Sequence, residues 1–298
     1  MNPGSGRHES DRAREIVTEA FERAGRRYTF LPVDAGEGPG AACREAARQA
    51  RAEGGVLVVS GGDGTVNTAA QAALEAGCPL GVLPQGTFNL FGREHGLPLE
   101  VEESVQVLLG GVPRPVRVGL LNERLFLVNA SMGLYPQLLQ DREEFKQRLG
   151  RRRWVAALAG MRTVLGWHGK LILEIEQDGV IRRLVTPSLL VAANALQLER
   201  LGLPEELLAR VEEGDLAALA ARPHGPWAKW RLMGRGLIGR LGDSEEMESF
   251  SFRSLNVLTR NAKRVKVGVD GEVVWMVPPL RFSVSPRPLS VILPGPSA

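Results

Sequence analysis

Apolar residues Ala13, Ile16, Val17, Ala20, Phe21 and Ala24 recur at the three- and four-residue steps of a helical face that ends at Gly25. Ser10 stands where such a helix would be capped. "YTFLPV" at 28–33 predicts a short strand, and an alanine-rich helix follows from about 41 to 52. "VLVVS" at 56–60 is continuously apolar, the pattern of a strand buried on both faces of a parallel sheet. After it, "NTAAQAALEAG" predicts a helix, "LGVLP" a buried strand, and "FNLFGREHG" and "VEESVQVLLGG" further helices. Alternation of this kind predicts an open α/β sheet.

Beyond Pro113 the period changes to two. "PVRVGLLN", "RLFLVNASMG", "LILEIEQDG", "LVTPSLLVAANA", "SFSFRSLNVLTR", "VKVGVDGEVV" and "LRFSVSPRPLSVILP" all have strand character. The prediction is an α/β protein of two domains. A Rossmann-like nucleotide-binding domain over 1–115 takes back the tail at about 285–298, and a β-rich, antiparallel, sandwich-like domain spans 116–284. Helical insertions are expected at about 142–167 and 204–242. A parallel α/β domain ordinarily opens on an apolar strand, whereas this chain opens on the turn "MNPGSG"; the expectation is that a first strand has been lost ahead of it.

Composition narrows the classes. The chain has 298 residues, 44% hydrophobic and 24% charged, as in ordinary globular proteins, and its net charge of +3 gives no ground for a nucleic-acid partner. Cys43 and Cys78 are too few for a disulfide framework or a zinc cluster, and two reduced thiols in a cytosolic protein are expected. No run approaches the roughly 18 apolar residues that span a bilayer. The four histidines show no metal-ligand spacing, and His95 and His168 read as structural or surface residues.

The chemistry gathers at glycine corners. "SGGDGTVN" at 60–67 follows a strand and opens a helix, where glycines let backbone N–H groups approach a phosphate. A tight turn with an Asp or Thr helix cap would leave the same trace. "NPGSG" at 2–6 is a second such loop, "LPQGTFN" at 83–89 repeats the logic, and "VGVDGE" at 267–272 places two carboxylates at a strand end.

Taken in order and at these separations, the four motifs resemble the bacterial diacylglycerol kinase family and its sphingosine-kinase relatives. The resemblance implies a lipid kinase that transfers the γ-phosphoryl group of ATP, with Mg2+, to the hydroxyl of a diacylglycerol-like lipid. It implies phosphate loops at Asn2, Pro3, Gly4, Ser5 and Gly6, at Gly61, Gly62, Asp63, Gly64, Thr65, Val66 and Asn67, and at Gly86 and Thr87. Asp63 would face nucleotide and magnesium. Glu272 matches the proton acceptor, and Asp270, two residues away on the same strand face, would orient it or share the metal field. The partners implied are a lipid at a membrane surface and no nucleic acid, with a homodimer allowed; the location implied is cytoplasmic, with peripheral contact at the membrane's inner face.

The sequence departs from the family pattern at four places. Thr68 and Leu90 replace carboxylates, Ala35 stands for a threonine that contacts ATP, and "EGDL" puts Glu213 in the place of an aspartate used for a structural magnesium. A non-catalytic nucleotide- or lipid-binding member is therefore the main alternative. A soluble NAD-type kinase, which shares "GGDGT", fits less well because its Ser/Thr-Pro-Gly-Ser-Thr loop is missing. Two basic, Trp-containing segments bear on membrane contact. The one beginning at Arg148 has the apolar spacing of a core helix; the other, with Trp227, Trp230, Arg231, Arg235 and Arg240, suits a headgroup surface equally well. The arginines at 151–153 read as a solvated face.

Overall fold

A computed structural model of the chain describes residues 7–31, 38–134, 171–177, 179–222, 244, 246–259 and 262–295. Its contacts divide it into two compact units, Met1–Val118 with Ser285–Ala298, and Gly119–Val284. The first is α/β and the second is built on antiparallel sheets, the fold class expected from the pattern.

In the first unit, helices α1 (Arg7–Arg23) and α2 (Gly38–Glu53) precede β1 (Leu57–Gly61), α3 (Asp63–Ala76) and β2 (Leu80–Pro84). Helices α4 (Leu90–Glu94) and α5 (Val101–Gly110) lead to β3 (Val112–Val116). The sheet order is β1-β2-β16-β3, where β16 (Leu289–Leu293) comes from the far end of the chain, parallel to β2 and antiparallel to β3. The predicted face of α1 is the buried one: Val17 packs with Leu83 of β2 and Val105 of α5. Ser10, however, lies inside α1 rather than at its cap. "YTFLPV" forms no strand over its described residues 28–31, where Tyr28 and Phe30 instead stack edge to face and pack against α1. β1 is an edge strand of this sheet, so Val58 remains 39% exposed and the run is not buried on both faces as its composition suggests.

The second unit holds two six-stranded sheets. One has the order β5-β4-β15-β12-β7-β8, from β4 (Gly119–Leu121), β5 (Arg124–Phe126), β7 (Leu171–Gln177), β8 (Val180–Thr186), β12 (Ser254–Thr259) and β15 (Leu280–Val284). The other has the order β11-β10-β9-β6-β13-β14, from β6 (Asn129–Gly133), β9 (Ser188–Ala192), β10 (Leu216–Ala221), β11 (Met247–Phe252), β13 (Val265–Val269) and β14 (Glu272–Met276). Alternate residues of both meet in one core, Leu173, Ile175, Val257 and Phe282 from the first and Met132, Val191, Ala218 and Val267 from the second. Helices α6 (Ala195–Arg200) and α7 (Glu205–Glu212) cover the opposite face of the second sheet, against Ala192, Ala217 and Leu219.

The expected helical insertion at 204–242 needs correction. Among its described residues the start is the helix α7, but "LAALAA" forms β10, paired on both sides by β9 and β11. Alanine favours helix by less than 1 kcal/mol per residue. Here Leu216, Ala218 and Ala220 enter one core while Ala217 and Leu219 enter the other, so tertiary burial outweighs propensity. The remainder of that insertion, the one at 142–167 and both basic Trp-containing segments, with Arg151–Arg153 and His168, lie outside the described residues. Among those described, no helix is long and apolar enough to cross a membrane. Cys43 is half-buried, Cys78 is buried, and neither forms a disulfide.

His95, just past α4, is structural. Its ring packs edge to face on buried Phe91 at 4.6 Å, and burial pushes the imidazole pKa down from 6.5 to about 4. The native protein therefore refuses a proton that the unfolded chain accepts between those values. Stability should be independent of this group above pH 6.5 and fall as pH drops towards 4, by on the order of 2–3 kcal/mol in all. Denaturant unfolding of the native protein and His95→Gln at pH 7, 5.5 and 4.5 checks this: the gap between them should narrow with acidification, and a constant gap would contradict it.

Candidate active site

In the first unit, two glycine loops leave neighbouring parallel strands. β1 pairs with β2 through Gly61 opposite Pro84, so the chain emerges at Gly62 beside Gly86. The loops are locked at the exit, since Gln85 N–H donates to Gly61 O at 2.9 Å and Ser60 Oγ bonds Gln85 Oε1 at 2.8 Å. A Cβ on Gly86 would lie 2.7 Å from the Gly62 Cα and 2.8 Å from Asn89 Oδ1, so glycine is required there for the two backbones to touch. Asn89 closes the second loop on itself. In a left-handed conformation (φ 48), its Oδ1 accepts from Gly86 N–H at 2.7 Å and its Nδ2 donates to Gly86 O at 2.8 Å.

The cap reading of "GGDGT" does not hold. Helix α3 begins at Asp63, and its cap is Gly62 in extended conformation, a residue with no side chain to cap with. Thr65 and Val66 N–H both donate to Gly62 O, at 2.9 and 3.0 Å, so by helix geometry it is the Asp63 and Gly64 N–H groups that have no acceptor within α3, and the helix dipole favours an anion there. Asp63 occupies the first helical position and Thr65 packs its side chain over Gly61, 2.8 Å from where a Cβ would stand. Val66 is buried, so it anchors the helix rather than facing a ligand; Asn67 is half-buried one position on, and Thr87 is exposed on the neighbouring loop. Thr68 Oγ1 donates back to Gly64 O at 3.0 Å, so the hydroxyl in the expected carboxylate's place serves the helix itself. Leu90 opens the short α4, half-buried. Asn2, Pro3, Gly4, Ser5, Gly6 and Ala35 lie outside the described residues.

In the second unit, Asp270 and Glu272 are not on one strand face. Asp270 and Gly271 form the two-residue turn of the β13–β14 hairpin, both at positive φ (44 and 90), and Glu272 opens β14 opposite Val269. The Asp270 carboxylate points away to the segment joining β5 to β6. Its Oδ2 accepts from Leu127 N–H at 2.7 Å, and its Oδ1 accepts from Val128 N–H at 2.9 Å and Asn129 N–H at 2.8 Å. A carboxylate so occupied has a holding role. Glu272 is exposed, and its Oε2 meets Arg124 Nη2 at 2.5 Å. Buried Asn129 extends the frame, donating to Gln197 Oε1 at 3.1 Å at the start of α6, which Asn194 caps. Sequence reasoning missed Arg124 and Asn129; both lie in "NERLFLVN", whose alternation signals only strand.

Donor chemistry sorts the metal candidates. Among the described residues no three His, Cys, Asp or Glu side chains converge as a metal site. Magnesium is commonly held by one or two carboxylates plus substrate phosphates, so Asp63 fits an ion carried on a nucleotide. Glu213 does not fit: its exposed carboxylate pairs with Arg210 at 3.4 Å. The buried carboxylate of that turn is Asp215, which accepts from Arg210 at 2.7 Å and Arg253 at 3.0 Å. Two guanidiniums already neutralise the corner where a structural magnesium was expected.

Residues 1–121 match the family model of the diacylglycerol kinase catalytic domain. A diacylglycerol kinase of Bacillus subtilis is 33% identical over 183 residues, 60% of this chain and 58% of its own length. One from Staphylococcus saprophyticus is 34% identical over 139 residues, 46% of this chain and 45% of its own. An uncharacterized protein of Synechocystis is 25% identical over 260 residues, 84% of this chain and 58% of its own. The chain thus spans about half the length of the curated relatives it matches. A solved diacylglycerol kinase structure from Bacillus anthracis shares the fold, with a TM-score of 0.68 at 19% identity over 99% of this chain and 95% of that one. Residues 1–121 thus resemble the diacylglycerol kinase catalytic domain, and the chain shares the fold of a solved diacylglycerol kinase.

Proposed function

We propose that the protein is an ATP-dependent lipid kinase that phosphorylates the hydroxyl of a diacylglycerol-like lipid. The observation that carries this is the Gly62–Gly86 contact, which sets two glycine loops side by side at the glycine-capped start of α3. That is a cradle for phosphate groups made of backbone N–H donors, with the carboxylate of Asp63 at its edge. In this reading, residues 1–115 with 285–298 bind nucleotide and 116–284 bind lipid. Asn89 keeps the second loop in shape, and Gly61–Asn67 with Gly86 and Thr87 position the phosphates. Magnesium, when bound beside Asp63, supplies positive charge against the phosphate oxygens.

Glu272 is the base of this proposal. The lipid oxygen forms a bond to the γ-phosphorus, the bond from that phosphorus to the bridging oxygen of ADP breaks, and the hydroxyl proton passes to the Glu272 carboxylate. An alcohol is a weak acid, so a carboxylate that receives its proton as the bond forms lowers the barrier. Most of the remaining rate comes from in-line positioning and charge neutralisation. The thin carboxylate set, with Thr68 turned onto Gly64 O, is what favours the second reading, a member that binds nucleotide without turnover.

Two measurements test this. Protein incubated with labelled Mg-ATP and a panel of diacylglycerols, monoacylglycerols, sphingoid bases and polyprenols should label at least one lipid. Glu272→Gln should lower that rate by about 100-fold or more with ATP affinity within about threefold; ATP binding without transfer to any lipid would establish the second reading. Gly86→Ala should weaken ATP binding by about tenfold or more, because the new methyl must push Gly62 or Asn89 aside. Unchanged affinity, read by titration calorimetry, would remove the two-loop cradle from the nucleotide site.

A further inference from the structure

We propose that Arg124 is the positioning residue of Glu272, fixing one carboxylate oxygen so that the other receives the substrate proton. This rests on the reading of Glu272 as the base. Arg124 lies on β5, the last strand of its sheet, and Glu272 opens β14, the last strand of the other. They are 148 positions apart in the chain, yet Arg124 Nη2 stands 2.5 Å from Glu272 Oε2.

The frame that brings them together is already complete without them. Three residues beyond Arg124 the chain crosses from β5 to β6, and there the amides of Leu127, Val128 and Asn129 all donate to Asp270. Asp270 N–H returns a bond to Asn129 O at 2.9 Å. Four hydrogen bonds thus clamp the hairpin turn to the strand crossing. An exposed ion pair beside such a clamp adds little to stability, because solvent screens it and both side chains lose rotamer freedom. The pair's effect falls on the carboxylate. The Glu272 side chain is 59% exposed and by itself would sample several rotamers; the guanidinium, 37% exposed and planar, restricts it to one. With Oε2 held by Arg124, Oε1 is the oxygen left to accept a proton.

Lysine cannot reproduce this fully, since it keeps the charge but ends in a rotatable ammonium rather than a planar guanidinium of fixed donor direction. Five proteins decide the matter, each assayed with Mg-ATP and the lipid that the native protein phosphorylates best: native, Arg124→Gln, Arg124→Lys, Glu272→Gln and the double variant Arg124→Gln with Glu272→Gln. Arg124→Gln should lower kcat about tenfold with KM for ATP and lipid within about twofold and an unchanged melting temperature, Arg124→Lys should lie between it and native, and the double variant should be no slower than Glu272→Gln alone. A native kcat in Arg124→Gln alongside an inactive Glu272→Gln overturns the role of Arg124 while leaving the base in place. A double variant slower than Glu272→Gln by the full Arg124→Gln factor overturns it too, because the arginine then acts elsewhere. Full activity in Glu272→Gln, or no lipid phosphorylated by the native protein, ends the reading of Glu272 and this inference with it.

Discussion

One carboxylate holds the second unit's chemical end in place. Asp270 sits in a left-handed turn position, which costs about 1 kcal/mol for a residue other than glycine. It offsets that with three charge-assisted bonds from consecutive amides, each worth about 1.5–3 kcal/mol when the alternative is an unpaired buried donor. The balance is decisively favourable. It fastens an edge hairpin to the crossing between two sheets, which is otherwise the least constrained part of a two-sheet fold. Glu272 and Arg124 then meet because the backbone beneath them cannot move apart.

The same economy operates in the first unit with no charge. Gly62 and Gly86 touch through bare backbone, and Asn89 folds its amide back on Gly86 to hold that contact. The helix that starts at Asp63 has a glycine, Gly62, at its cap. Glycine at that position costs a helix only about a few tenths of a kcal/mol relative to a Ser or Asp cap. At that small cost the helix starts in backbone contact with the second loop.

The alternation of β and α, the buried faces of α1 and the two-residue period beyond Pro113 were legible because burial imposes them on the sequence directly. So were the glycine corners, since only glycine permits the Gly62–Gly86 approach. What could not be read depends on partners distant in the chain. "LAALAA" has helical composition and becomes a strand because cores lie on both sides of it. Asp270 and Glu272 look like neighbours on one strand, but an Asp-Gly turn between β13 and β14 separates their tasks. Arg124 was invisible because its partner is 148 residues away.

The corner at 213–215 shows how a motif can be kept in outline while its physics changes. A carboxylate in the aspartate's place suggested a metal, yet Glu213 is exposed and paired with Arg210. The buried charge is Asp215, two residues on, and Arg210 and Arg253 both reach it. A divalent cation and two guanidiniums offer a buried carboxylate the same net charge, but the arginines bring it on their own side chains, covalently tied to α7 and to the turn between β11 and β12. A cation added beside Asp215 would meet two positive groups. The turn is thereby closed by the chain itself. The carboxylates lost near Asp63 have no such replacement among the residues described, which leaves that end dependent on charge brought by a ligand.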